Sequence, residues 1–426
     1  MCIALCKVDN ILAGVVKYSG TSEVIIRLIW RFVMIAKSMV DYVKGSSVIR
    51  AMFEEGKQMA ARYGAENVYD FSLGNPSVLP PASVKEAMID ILENEDANLV
   101  HGYMNNSGYE DVRAAIAGSL NKKFGTSFDG NNILMTVGAA GGLNVILKTL
   151  LDPEDEVVVF APFFGEYANY VRNFGGVLKV VPPTDTFIPD PEAFRAAITD
   201  KTKAVIINNP NNPTGVVYSE DDIRALADVM RDKEKEYGRA IYLIADEPYR
   251  ELVYDGLDVP YLTKYYDDTI VGYSYSKSLS LPGERIGYLV IPDEVDDYEN
   301  VVQAANVANR ILGFVNAPSL IQRTVARCLD AEVDVDIYNK NRELLYTELT
   351  RLGFECIKPQ GAFYMYVKTP EEDDKAFAAK AKEFNLLLVP GSTFHGPGYV
   401  RIAYCVDYDM IKRAIPAFEK LAAAYR

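Results

Sequence analysis

Four segments of this chain carry apolar runs with almost no interruption before they turn polar: "DEVVVFAPFF" (155–164), "KAVIINNPNNPTG" (203–215), "AIYLIADEPY" (240–249) and "TIVGYSYSKS" (269–278). A strand with one wet face alternates apolar and polar residues, and runs such as VVVF and AVII do not. They must be buried on both sides. Stretches with helical spacing, such as 219–236, lie between them. Strands interleaved with helices predict an α/β fold whose large domain is a mainly parallel sheet covered by helices on both faces. In such sheets ligands bind beyond the carboxyl ends of the strands, where each of the four segments turns polar.

Upstream, apolar spacing predicts helices over 48–64, 83–93 and 108–124, and "NILMTVGAAGGLNVILKTLL" reads as a strand running into a helix whose start carries glycines. From about residue 330 the pattern changes to a long amphipathic helix ("IYNKNRELLYTELTRL"), a hairpin-like "ECIKPQGAFYMYVK" and a closing helix. This predicts a second, smaller α+β domain. A chain of 426 residues has room for both. We expect residues 83–325 to form the large domain, 326–426 the small one, and 39–82 an N-terminal segment joining the small domain.

Residues 1–38 differ from the rest. Lys7, Lys17, Arg27, Arg31 and Lys37 face only Asp9 and Glu23, in a protein whose net charge is −15. The run "VIIRLIWRFVMIA" (24–36) is too short to span a bilayer, which takes roughly 20 apolar residues, and two arginines interrupt it. It comes late for a signal peptide, and no small-residue cleavage site follows. We expect the fold to begin at Met39, with residues 1–38 an extension outside it and a surface amphipathic helix the alternative.

Charge and rare residues narrow the chemistry. An acidic chain opposes nucleic-acid phosphates, so no nucleic-acid partner is expected, and no membrane partner either. Cys2, Cys6, Cys328, Cys356 and Cys405 are scattered without a C-x-x-C pair, which suits a reducing cytoplasm and gives no metal-ligand spacing. With only His101 and His395, a His-rich metal site is excluded and a Ser-His-Asp relay disfavoured. Acid and base work falls to lysine, tyrosine and carboxylates. The two histidines read as structural or peripheral.

The strand ends carry an unusual set of groups. "VGAAGG" (137–142) puts Gly138, Ala139 and Ala140 at a helix N-terminus, whose free N–H groups favour a phosphate, although small residues there also permit close packing. In the amide-and-proline loop "NNPNNPTG" (208–215), Asn212 offers a side-chain donor. Asp246 ends an apolar strand, where a carboxylate is costly unless it meets a cation or a donor, and Tyr249 follows three residues later. Lys277 and Arg285 share "SYSKSLSLPGERIGY" (274–288) with Ser274. A lysine at a strand end often only keeps its head group wet. Together, however, these groups suit a pyridinium ring bearing a phosphate, a phenolate oxygen and an aldehyde.

The motifs "NPNNPTG", "ADEPY" and "SYSKSLSLPGERIGY", in this order and spacing, resemble those of the fold type I pyridoxal-phosphate aminotransferases of class I/II, over roughly residues 45–420. The resemblance implies pyridoxal 5'-phosphate as cofactor, with Lys277 as the Schiff-base lysine and Asp246 as partner of the ring nitrogen. It implies Asn212 and Tyr249 at the phenolate oxygen, and Arg285, Ser274 and the backbone at Gly138, Ala139 and Ala140 at the phosphate. By the same resemblance Phe164 in "APFFGEY" stacks on the ring, and Tyr103 in "HGYMNNSGYEDVR" reaches the phosphate of a neighbouring subunit in a homodimer. Arg401 in "GYVRIAY" grips the substrate α-carboxylate, with Gly74 in "SLGNP" and Asn212 beside it. Two positions depart from the family pattern: Ala140 replaces a common hydroxyl residue, and Phe164 a common tyrosine or tryptophan. Arg310 lies near the place of a second arginine in dicarboxylate-specific relatives, with inexact spacing.

The activity so implied is transfer of the amino group of an L-α-amino acid, of aspartate, alanine or aromatic type, to a 2-oxo acid such as 2-oxoglutarate. The catalytic residues would be Lys277, Asp246 and Tyr249. A carbon–sulfur β-lyase on the same scaffold is the alternative, but those relatives follow the aspartate with a histidine-bearing stretch that this chain lacks. A non-enzymatic regulator would need a DNA-binding domain, and residues 1–45 show no helix-turn-helix pattern.

Overall fold

The computed structural model describes residues 35–44 and 48–426. The expectation for residues 1–38 therefore falls, up to residue 34, outside the described residues. The chain divides into two units, Met1–Val48 and Ile49–Arg426. In the first, the described residues form the helix Lys37–Lys44. The second holds the sheets and the candidate site.

Its strands are β1 (Tyr69–Asp70), β2 (Ile133–Thr136), β3 (Glu156–Phe160), β4 (Val177–Val181), β5 (Thr202–Asn208), β6 (Tyr242–Asp246), β7 (Thr269–Ser274), β8 (Gly287–Val290), β9 (Tyr364–Lys368), β10 (Leu386–Leu387), β11 (Val389–Pro390) and β12 (Tyr399–Ala403). Among the described residues a seven-stranded sheet has the order β2-β8-β7-β6-β5-β3-β4. From β4 to β7 all neighbours run parallel, and β8 is antiparallel to both β2 and β7. The sheet is the mainly parallel one that the apolar runs require.

Alternate residues of each run feed two separate cores. Val158, Val205, Leu243 and Val271 point to one side, where they pack with Ile116 of the helix Glu110–Phe124 and Leu226 of the helix Glu220–Tyr237. Val157, Val159, Ile206 and Ile244 point to the other, against Ile146 of the helix Gly138–Leu150 and Ala305 of the helix Tyr298–Ile311. Period-2 geometry with both faces apolar thus yields helix layers above and below. Helix ends follow local chemistry. Ser219 and Asp222 close a capping box at the start of Glu220–Tyr237, and Gly238 ends it in the left-handed region at φ 68°.

A three-stranded antiparallel sheet, β11-β12-β9, packs with the helices Val335–Arg351 and Tyr408–Ala423. Here the hairpin expectation changes form. Cys356 makes only an isolated bridge to Val367, and β9 instead pairs with β12 over Tyr364–Lys368. The reason lies in the segment between: Gln360 and Gly361 both donate to the Gly215 carbonyl, at 2.8 and 2.9 Å, which docks this stretch on the loop after β5. That contact sets the β9–β12 sheet beside the carboxyl ends of the parallel strands.

Candidate active site

β5, β6 and β7 each deliver a polar group at their carboxyl ends. Asp246 closes β6 and is 5 % exposed. Its backbone carbonyl accepts from Asn208 Nδ2 at 2.8 Å, and its carboxylate Oδ2 accepts from the Tyr167 hydroxyl. The other oxygen, Oδ1, is buried without a hydrogen-bond partner. Burial pushes the Asp246 carboxyl up to about 7; the Tyr167 hydrogen bond pulls it down, and neighbouring Glu247 pushes it up. A buried acid with one idle oxygen is costly by itself, and a cation brought to that oxygen would relieve the cost.

Beyond β7 the chain enters the short helix Tyr275–Ser278, which carries Lys277. Ser274 caps it: its hydroxyl accepts from Ser276 N at 3.2 Å and donates to Ser276 Oγ at 2.8 Å. Lys277 Nζ donates to the Gly74 carbonyl at 2.7 Å and stands 5.2 Å from the centre of the Phe363 ring. Burial lowers the amine to about 8, with Arg401 and Arg285 lowering it further and Cys405 opposing. Burial therefore brings the loss of the amine's proton, and with it a nucleophilic nitrogen, much closer to physiological pH than for an exposed lysine. Cys405 is not a rival nucleophile, because burial pushes its thiol up to about 12.

The start of the helix Gly138–Leu150 faces Arg285. Gly138 has φ 70°, a conformation that strains any L side chain, and a methyl group on it would lie 2.9 Å from Arg285 Nη2 and push the guanidinium aside. Arg285 itself is held at φ 53°, a strained conformation for a long side chain, while its Nη1 donates to the Pro282 carbonyl at 2.9 Å. Ser274 pairs across the sheet with Gly287, whose own Cβ would meet Gly138 backbone at 3.1 Å. Ser274, Gly138 and Arg285 are thus gathered at one helix N-terminus. Ala139 and Ala140 fill the rest of its first turn, which holds no acidic residue. The free N–H groups and positive dipole end of that helix, with the guanidinium beside it, favour an anion there.

Arg401 enters from β12 and is 2 % exposed. Its guanidinium lies between two rings, 4.3 Å from Tyr364 and 4.6 Å from Phe394. Nη1 donates to Asn212 Oδ1 at 3.0 Å and Nη2 to the Ser72 carbonyl at 2.7 Å, while Nε is buried without a partner. None of these acceptors is charged, so the site holds a buried cation ready for a carboxylate. Asn212 commits its oxygen to Arg401 and its backbone N–H to Asn208 Oδ1 at 2.7 Å, which leaves the side-chain amide as its donor. Tyr249 lies 3.0 Å, hydroxyl to hydroxyl, from Tyr364, and burial pushes its pKa well above the ordinary value.

Phe164 is half-buried and meets Tyr167 edge to face at 5.6 Å. Tyr103 is not brought into the site by its own chain; it is 95 % exposed. Arg310 ends the helix Tyr298–Ile311 as an exposed residue. His395 stacks on Phe163 at 4.5 Å, and burial lowers its pKa, in keeping with a packing role. The sequence reading passed over Asn208, Tyr167, Tyr364 and Phe394. Tyr167 lies within "APFFGEY" and Tyr364 within "GAFYMY", but among 28 tyrosines neither stands out.

Residues 66–418 match the family described as aminotransferase class I and II. A probable aspartate/prephenate aminotransferase of Thermus aquaticus is 33 % identical over 351 residues, covering 81 % of this chain and 89 % of that protein. Among solved structures, an aminotransferase from Eubacterium rectale is 49 % identical, covers 92 % of this chain and 100 % of its own, and superposes with a TM-score of 0.90. The aspartate aminotransferase of Thermus thermophilus with maleate is 28 % identical at a TM-score of 0.78, covering 88 % of this chain and 96 % of its own. With the match spanning most of its length, the chain belongs to the class I and II aminotransferases and is an enzyme of the transaminase type.

Proposed function

We propose that this aminotransferase uses pyridoxal 5'-phosphate to move the amino group of an L-α-amino acid to a 2-oxo acid such as 2-oxoglutarate. The observation that carries the reading is Asp246: a buried carboxyl whose Oδ1 lacks a partner, at the same strand ends as an amine whose pKa burial lowers and two cations without carboxylate partners in their hydrogen bonds. These residues fit the cofactor. Asp246 Oδ1 would face its ring nitrogen, Arg285 with Gly138, Ala139, Ala140 and Ser274 its phosphate, and Asn212 and Tyr249 its phenolate oxygen. Phe164 would cover the ring face. When bound, the cofactor supplies an aldehyde for amines and a protonated ring that accepts the electron pair left when a Cα–H bond breaks.

The chain's own residues do the rest. Arg401 binds the α-carboxylate of the donor and so orients its Cα–H bond, with Gly74 beside it. Lys277 Nζ, whose pKa burial lowers to about 8, takes the α-proton and returns it to the cofactor side. Asp246 holds the ring nitrogen in its protonated state through its negative charge. Tyr364 fixes the Tyr249 hydroxyl and lies against the guanidinium of Arg401. Burial of Asp246, Arg401, Tyr249 and Tyr364 limits the water that competes for the proton.

The donor is of the aspartate, alanine or aromatic type; relatives named for aspartate, prephenate and aromatic amino acids support the first and last of these. The reading includes a homodimer, in which the exposed Tyr103 would serve the partner's phosphate site, and a cytoplasmic location. Among the described residues no helix is long and apolar enough to cross a membrane. Purified protein loaded with pyridoxal phosphate, given a panel of L-amino acids with 2-oxoglutarate, should form glutamate and a new 2-oxo acid in equal amounts. Ammonia release in place of glutamate, or no turnover of any donor, would overturn the reading. Arg401→Ala should raise KM for every α-amino acid by roughly ten- to a hundredfold, a charge-assisted hydrogen bond's worth, as measured by initial rates.

A further inference from the structure

The Asp246 carboxylate has one hydrogen-bond donor among the described residues, and no motif singles it out. Tyr167, on the helix Glu166–Asn173, is 1 % exposed and directs its hydroxyl to Oδ2. Its ring is fixed on two sides, stacked on Phe163 at 6.2 Å and met edge-on by Phe164 at 5.6 Å. The phenol is a donor and nothing else here, since burial and the charge of Asp246 push its own pKa well above the ordinary value. The other titratable groups acting on Asp246 are Glu247, whose charge opposes it, and Tyr170 and Tyr249, both kept neutral by burial. None of them hydrogen-bonds its carboxylate.

We propose that Tyr167 is a positioning residue for the cofactor: its hydroxyl fixes the plane of the Asp246 carboxylate, leaves Oδ1 as the oxygen available to the ring nitrogen, and holds the group in its charged form. The inference rests on the cofactor reading above. Its logic is physical. A neutral donor favours the anion over the acid, opposing the desolvation that favours the acid, and a carboxylate tied at one oxygen presents the other in a set direction.

The test is Tyr167→Phe, which keeps the ring and its two aromatic contacts. Apo-protein is titrated with pyridoxal phosphate, and the dissociation constant and the absorbance spectrum of the bound cofactor are read directly. The hydroxyl's loss should weaken cofactor binding by roughly ten- to a hundredfold, change the pH dependence of the bound cofactor's absorbance, and lower kcat while leaving KM for the donor unchanged. In an Asp246→Asn background the same substitution should change cofactor affinity far less, because its effect runs through the aspartate charge. An equal loss of affinity in both backgrounds would mean that Tyr167 acts by packing, and the proposal fails. Unchanged affinity and spectrum in Tyr167→Phe, in a wild type that loads normally, would overturn this inference alone. A wild type that takes up no cofactor would overturn both readings.

Discussion

Lys277→Ala is expected to bring transamination to a near halt. In the proposed function two roles vanish with one side chain: the nitrogen that would bond the cofactor and the base that would carry the α-proton. Loss of a positioned base alone costs roughly 10²- to 10⁴-fold in rate, and loss of the covalent attachment adds to it. The substitution should be mild for folding. It removes an amine that burial lowers to about 8 and that makes one hydrogen bond, to the Gly74 carbonyl. Single-turnover rates with the best donor, alongside thermal unfolding of the apo-protein, separate the two effects. Borohydride reduction of the loaded wild type followed by peptide mapping should put the label on Lys277. A label elsewhere, or a variant that keeps a tenth of the activity, would show that another residue does the work.

Asp246→Asn should give the second-largest loss. The amide keeps the shape and can still accept from Tyr167, yet it cannot balance a protonated ring nitrogen. Removing one partner of a buried charge pair costs about 3–5 kcal/mol, or roughly 10²- to 10⁴-fold in kcat. The apo-protein should respond in the opposite sense. Because the native carboxyl titrates near 7 and an unfolded one near 4, the native state binds the extra proton between these limits. Stability lost to Asp246 therefore grows as pH rises from 4 and is full above about 7. The asparagine variant should unfold at a higher temperature than wild type at pH 8, with the gap closing toward pH 4. A variant that is both active and no more stable at pH 8 would contradict the assignment of a charged, strained acid at this position.

The fold was legible because its strongest signal is chemical and local. Runs such as VVVF and YLIA cannot tolerate a wet face, so their burial between two helix layers follows from composition and period alone. Of the candidate residues, Asp246 was legible for a related reason, a charge at the end of an apolar strand where burial makes charge expensive, whereas Arg401 was marked only by the resemblance of "GYVRIAY" to a family motif. What the sequence hid is relational. Tyr167 and Tyr364 matter through the direction in which their hydroxyls point, which depends on helix rotation and on contacts between segments about 80 and 115 positions apart. Ser274 is read in sequence as an anion ligand, and its hydroxyl caps the lysine helix, a use that only backbone geometry reveals. The hairpin expected over 355–368 missed the docking of Gln360 and Gly361 on Gly215, a contact across more than 140 residues.

The short stretch from Ser72 to Gly74 holds the guanidinium of Arg401 through one carbonyl and the amine of Lys277 through another two residues later. It works as a ruler between the two groups, one borne on β12 and the other on the short helix that follows β7. A chimaera that exchanged the C-terminal third of this protein for that of a relative would inherit a mismatched ruler unless these three residues travelled with the graft.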